Sequence, residues 1–129
     1  MFTTITTMPA QPLTKKAKRG DIVLVPFPNS DLQTAKLRPA LIIQSDEIDS
    51  DLSQIVLAMI TSNLRRAGRK SRIKIIVESD IGKASGLLSD SVIMTDNIAT
   101  VLLSQITRII GNLEAMNQVD AALRHSLSL

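Results

Sequence analysis

The sequence predicts a mainly β fold, a small barrel-like antiparallel domain finished by a C-terminal α-helix. Three observations carry this expectation. Short β-branched segments recur between residues 22 and 110, separated by turns containing Pro, Gly, Asn or Asp. From residue 113 onward the apolar spacing changes to three- and four-residue steps. The strands are also apolar throughout rather than alternating, with no polar side chain between Ile55 and Ile60, which implies cover on both faces.

The elements follow in order. Gly20-Asp21 punctuates the start, and Ile22-Val23-Leu24-Val25-Pro26-Phe27 reads as the first strand. Pro26 and Pro28 close it because they lack the N–H that a ladder needs. Asn29 to Leu37 is polar and reads as a loop. Arg38-Pro39 opens a second strand through Ser45, since a residue before proline is driven to extended geometry. An acidic turn spans Asp46 to Asp51, and Gln54 to Thr61 is the third strand. A basic loop precedes the fourth strand, Arg72 to Val77. Glu78 to Ser85 reads as a turn, with Gly82 within it and Gly86 just after. Ser91 to Met94 makes a fifth strand, whereas Asp96 to Leu103 fits either strand or a short helical turn. Arg108-Ile109-Ile110 is the last strand before Gly111. Leu113, Met116, Val119 or Asp120, Leu123 and Leu127 then share a helix face, with Asn112 as N-cap and Glu114 in the first turn. Arg124 and His125 occupy the last turn, where positive charge suits the helix dipole.

Composition narrows the function classes. Hydrophobic residues at 44% and charged residues at 21% of 129 residues support one globular domain. With no cysteine, disulfides, thiol nucleophiles and zinc–thiolate sites are excluded. The single histidine, His125, excludes chemistry that needs two imidazoles, and its place at a helix end marks it as a surface residue. Two Phe with no Tyr or Trp leave almost nothing on which nucleobases can stack. No apolar run approaches the ~20 residues of a membrane span, and the N-terminus lacks the apolar stretch of a signal peptide. A cytoplasmic protein with no membrane partner is expected. The acidic turn lacks EF-hand spacing and no glycine-rich phosphate loop precedes a helix, so neither metal nor cofactor is expected. A domain this small has little material to cover both faces of its strands, so a homodimer is expected.

The formal charge of +3 is unevenly placed. Lys15, Lys16, Lys18 and Arg19 lie in the first twenty residues with no acid, and the remaining chain is nearly neutral. Residues 1–19 are therefore expected to be a disordered basic arm, and 20–129 the folded domain. Within that domain Arg65, Arg66, Arg69, Lys70, Arg72 and Lys74 form an acid-free block, readable as a phosphate-tracking surface or as a solvated loop.

One pair of residues has the makings of a reactive site. If strands 38–45 and 54–61 pair about the middle of their connection, Ser45 opposes Gln54 and Arg38 opposes Thr61. Directly opposed Cβ atoms lie about 5 Å apart. A fixed guanidinium beside a hydroxyl can hold a phosphodiester and stabilise charge developing on its oxygens. The same two residues also read as a surface arginine and a strand-end hydroxyl. Lys36, Ser62, Asn63, Arg65, Arg66, Arg69 and Lys70 surround the pair in sequence and are the candidate contacts to flanking phosphates.

Several blocks resemble the PemK/MazF family of type II toxin–antitoxin endoribonuclease toxins. They are Lys18-Arg19-Gly20-Asp21-Ile22-Val23-Leu24-Val25 with Phe27-Pro28, and Lys36-Leu37-Arg38-Pro39-Ala40-Leu41-Ile42-Ile43. Ile60-Thr61-Ser62, Gly86-Leu87, Asp90-Ser91-Val92-Ile93 and Ile109-Ile110-Gly111-Asn112-Leu113 follow in family order. The resemblance implies an SH3-like barrel, a homodimer, and metal-independent cleavage of single-stranded RNA that inhibits translation. It also implies a cognate antitoxin that covers the RNA groove, and DNA binding together with that antitoxin. The family's catalytic arginine and threonine match Arg38 and Thr61. In the implied mechanism the ribose 2′-hydroxyl attacks the adjacent phosphate, with Arg38 stabilising the phosphorane and Thr61 supporting its oxygens. Arginine stays protonated at physiological pH, so electrostatic stabilisation suits Arg38 better than base catalysis. Two departures stand out: the loop Asn29 to Leu37 lacks the family's glycine, and Asp96-Asn97 replaces an Asp-Gln pair. Fold alone leaves two other readings open, a same-fold toxin that poisons a protein target such as DNA gyrase, and a catalytically silent nucleic-acid or antitoxin-binding module.

Overall fold

In a strand, successive side chains point to opposite faces, and here both faces are apolar. The computed structural model describes residues 17–29, 31–47 and 52–129. Along β1 (Asp21–Pro28), β2 (Ala35–Ile42) and β3 (Gln54–Thr61) the side chains divide between two cores. Ile22, Leu41, Ala58 and Ile60 join one core with Ile73, Ile93, Leu113, Val119 and Ala122. Val23, Val25, Phe27, Ala40, Ile42 and Leu57 join the other with Val101 and Ile106. The sheet is curled, so the chain itself covers both faces of its apolar strands. The unbroken apolar run of β3 thus reports a folded-over sheet, and does not by itself require a second subunit.

Six antiparallel strands lie in the order β4-β5-β3-β2-β1-β6, where β4 is Arg72–Ile75, β5 is Ser91–Leu102 and β6 is Arg108–Asn112. The C-terminal helix, α2 (Met116–Leu127), sets Val119 and Ala122 into the first core. Ala40 pairs with Met59, Leu41 with Ala58 and Ile42 with Leu57. This is the register expected from the sequence, and continued two residues further it sets Arg38 across from Thr61. Between β3 and β5 the register shifts: Ala58 faces Ile98 but Met59 faces Met94, so residues 95–97 bulge from the ladder.

Several boundaries differ from the sequence expectation, each for a local hydrogen-bonding reason. Lys18 and Arg19, assigned to the arm, belong to the body. The Arg19 guanidinium donates to the Ile43 carbonyl at 3.0 Å and to Asp120 at 2.7 Å, and its backbone N–H donates to Asp46. The rest of the expected arm, residues 1–16, lies outside the described residues. β2 begins at Ala35 rather than Arg38, because it pairs with β1 as far as Pro28. It also ends early, at Ile42, where the Gln44 side chain accepts from Val56 N–H in place of a backbone carbonyl. β4 stops at Ile75, and the Val77 N–H turns to the Asp90 carboxylate at 2.8 Å.

The expected turn at 78–85 contains a short helix, α1 (Asp80–Ser85), capped by the Ser79 hydroxyl on Gly82 N–H. Gly82 hides this helix from propensity reasoning, yet a Cβ there would come within 2.0 Å of the Ile76 carbonyl. The region 96–103 is strand up to Leu102 and a single 3₁₀ turn over Leu103–Gln105. Asn112 is not an N-cap. It pairs with Asp21 in the sheet, Leu113 N–H donates to the Gly20 carbonyl at 2.8 Å, and the helix starts only at Met116.

Candidate active site

Proline 39 holds the backbone of Arg38 extended, and the β1–β2 hairpin brings Arg38 opposite Val25. Arg38 and Thr61 come together as the sequence register requires, since both line the same two clefts. They form the wall between those clefts. On one side lie Lys36, Leu37, Ser62, Leu87, Ser89 and Arg108. On the other lie Phe27, Asn29, Met59, Asn63, Arg66 and Asn97. The Arg38 Nη2 donates to Asn29 Oδ1 at 2.8 Å. Its Nε–H is buried and, among the described residues, is the only buried side-chain nitrogen or oxygen without a partner. Such a donor costs roughly 1–3 kcal/mol until an acceptor arrives. The Thr61 hydroxyl accepts from Asn63 N–H at 3.1 Å, which leaves its own proton for another acceptor.

The remaining candidates divide. Lys36 and Ser62 line the first cleft, and Asn63 and Arg66 the second. Asn63 also caps the 3₁₀ turn Leu64–Arg66, accepting from Arg65 N–H, and the Arg65 side chain is exposed. Arg69 and Lys70 are not brought to the pair. The chain reverses at Gly68, whose φ of 86° suits glycine, and again where Arg72 N–H meets the Arg69 carbonyl. Arg69, Lys70 and Lys74 then line a separate groove against Gln118, Ala121 and His125 of the terminal helix. His125 is exposed at the helix end, as its spacing indicated. Arg72 lines this groove too, but its charge is offset by a two-bond pairing with Asp96, Nε to Oδ1 at 3.2 Å and Nη2 to Oδ2 at 2.8 Å. That hydrogen bonding holds the Asp96 carboxyl below the usual carboxylate range, against a smaller opposing effect of burial.

Sequence reasoning passed over two residues. Arg108, by sequence only a strand start, supplies a third cation to the first cleft beside Lys36 and Arg38. Asn29, by sequence only a loop residue, holds the Arg38 guanidinium. The strand register pairs Arg38 with Val25, so it carries no sign of this side-chain bond to the loop. Among the described residues no cluster of three metal-ligating acidic, His or Cys side chains occurs, and no helix is long and apolar enough to cross a membrane.

Residues 18–127 match the model of the family described as PemK-like, MazF-like toxin of type II toxin–antitoxin system. The chain belongs to this toxin family. Its relatives include endoribonuclease MazF6 of Mycobacterium tuberculosis, 34% identical over 105 residues that cover 79% of this chain and 88% of the relative. Endoribonuclease EndoA of Bacillus subtilis is 31% identical over 115 residues, covering 87% of this chain and 95% of that one. The solved Mycobacterium tuberculosis toxin MazF-mt6 has a similar fold, with a TM-score of 0.66 at 23% identity over 84% of this chain and 97% of that one. A mycobacterial endoribonuclease in complex with its cognate antitoxin superposes with a TM-score of 0.65 at 20% identity, over 88% of this chain and 96% of that one. Family membership gives the double cleft its context, because the matched segment contains both Arg38 and Thr61 and every strand of the curled sheet.

Proposed function

We propose that this toxin is an mRNA interferase, an endoribonuclease that cuts single-stranded RNA in the cytoplasm and so blocks translation. The observation that carries the reading is the cleft wall itself. Arg38, with a buried Nε–H still lacking an acceptor, stands beside Thr61 where two clefts meet. A phosphodiester lying across that wall meets the guanidinium charge and the Thr61 hydroxyl together. The ribose 2′-oxygen then bonds to phosphorus and gives up its proton, and the bond from phosphorus to the 5′-oxygen breaks. The products are a 2′,3′-cyclic phosphate and a 5′-hydroxyl that carries a proton. Charge grows on the non-bridging oxygens, and a preorganised guanidinium and hydroxyl stabilise it more in the transition state than in the ground state. No step calls for a metal ion.

Lys36, Ser62, Asn63 and Arg66 track the flanking phosphates and base edges, with exposed Arg65 beside them. Arg69 and Lys70 lie off this path and reach the strand only where it extends toward the terminal helix. The toxin acts as a homodimer and pairs with a cognate antitoxin. Relatives of this fold solved with cognate antitoxins support the second point, and Leu88, 98% exposed beside the first cleft, is an apolar residue fit for an interface.

The test is incubation of the purified protein with mixed-sequence single-stranded RNA in EDTA, followed by end-group analysis. Cyclic phosphate and 5′-hydroxyl ends, lost in Arg38→Ala, are the expected result. Absence of cleavage, or cleavage undiminished in both Arg38→Ala and Thr61→Ala, overturns the reading in favour of a protein-directed or silent toxin.

A further inference from the structure

We infer that Asn29 is a positioning residue for Arg38, set in its working orientation by a relay through Thr34 to Asp31; the inference rests on the cleavage reading above. Asp31 Oδ1 accepts the backbone N–H groups of Gln33 and Thr34 at 2.9 and 3.0 Å, which folds the loop. These bonds also hold the Asp31 carboxyl below its ordinary range, so it stays an acceptor. The Thr34 hydroxyl lies 3.1 and 3.0 Å from the two Asp31 oxygens and spends its single proton there. Only lone pairs then face Asn29, whose Nδ2 donates to Thr34 Oγ1 at 2.9 Å.

The amide is thereby fixed one way round, with Oδ1 toward Arg38 Nη2 at 2.8 Å. Turned over, it would set an N–H donor against the guanidinium and a carbonyl oxygen against the hydroxyl lone pairs. The backbone of Asn29 is pinned as well, donating to the Thr34 carbonyl and accepting from Leu32 N–H. Arginine has a long side chain with many rotamers. Held at Nη2, its guanidinium plane is set before RNA arrives. This hairpin loop, without the glycine expected there, thus contributes to the reaction through its polar side chains.

The experiment uses the full chain, an RNA that the wild type cleaves, and the same strand built entirely of 2′-deoxynucleotides, which cannot be cleaved, as the binding probe. Asn29→Ala is expected to lower kcat about tenfold, as a misplaced catalytic group does. The dissociation constant of the deoxy strand and the melting temperature by calorimetry stay near wild type. Thr34→Val, close in shape but without the hydroxyl, loses kcat by a smaller factor, and Thr34→Ser recovers most of that loss. Wild-type kcat in Asn29→Ala, a loss matched by equally weaker binding, or a Thr34→Val defect that Ser does not restore overturns the inference. If cleavage survives Arg38→Ala undiminished, the cleavage reading fails with it; if Arg38→Ala is inactive while Asn29→Ala is normal, only the Asn29 role fails.

Discussion

Arg38 enters the proposed reaction with one guanidinium nitrogen occupied by Asn29 and another buried without an acceptor. Losing the whole group removes both the fixed positive charge and the guanidinium donors at the cleft wall. Arg38→Ala should therefore lower kcat for single-stranded RNA by about 10²–10³-fold, the range seen when a preorganised donor is deleted. Thr61→Ala removes a neutral hydroxyl and should cost less, about tenfold. Initial rates on one RNA, compared between the two variants, check the order. A larger loss from Thr61 than from Arg38 would reverse their assigned weights. The pairing of Arg38 with Thr61 was legible because two eight-residue apolar segments admit one natural hairpin register, and the Leu41–Ala58 pair lies in it. Asn29 was not legible, because its role depends on a side-chain bond across a loop, for which no periodicity exists. The basic block misled in the opposite direction. Gly68 and the turn after it rotate Arg69 and Lys70 away from the cleft, and charge density in sequence carries no record of that reversal.

At the scale of elements, α1 and β6 approach backbone to backbone. A Cβ on Gly86 would lie 1.9 Å from the Ile110 carbonyl, and one on Gly111 2.3 Å from the Ser85 carbonyl. Gly86 also has a φ of 74°. Gly86→Ala should destabilise the fold by about 3 kcal/mol or more, since neither backbone can yield without moving an element. Gly68→Ala is the control, with the same left-handed backbone but nothing within 4 Å, and should cost only about 1–2 kcal/mol. Denaturant midpoints of the two variants give the comparison. The Arg72–Asp96 pair ties β4 to the bulge of β5. Its folded-state carboxyl titrates below the unfolded value, so its contribution is present above about pH 4 and is lost as pH falls through the folded value. With the Asp96 side chain 36% exposed, that contribution is about 1 kcal/mol or less. Asp96→Asn should melt below wild type at pH 7, and the gap should narrow as pH falls below the ordinary carboxylate value. Asp21 acts in the other direction, since burial pushes its carboxyl up and acidification relieves that cost. The difference between wild type and Asp96→Asn isolates the pair. The strands themselves were legible from β-branched runs. Their ends were not, because Gln44, Asp90 and Gly20 take over backbone hydrogen bonds from positions distant in sequence.

For the whole molecule, charge is divided between a cleft and a groove on the helix side. RNA affinity should fall steeply with salt, with a slope of about −0.7 for each phosphate neutralised on a single strand. Arg66→Ala should remove about one such unit on a short strand that spans the cleft, while Lys74→Ala should leave the slope unchanged. Fluorescence anisotropy across a salt series measures both. Equal effects would mean that the strand reaches the helix-side groove. The two-core sheet has a separate consequence for how the chain finds its alignment. In a half-exposed sheet a one-residue slip drives apolar side chains into water, so solvent itself rejects the error. Here a slipped β2 or β3 would only exchange the contents of two dry compartments, and water would scarcely object. Rejection falls to shape: Leu41 must meet the helix side while Ala40 and Ile42 fill the other. The backbone approaches at Gly86 and Gly111, too close for a methyl group, and the three-residue bulge beside Met59 fit only one alignment. The same misalignment would separate Arg38 from Thr61, so the contacts that select the fold also decide whether a site exists.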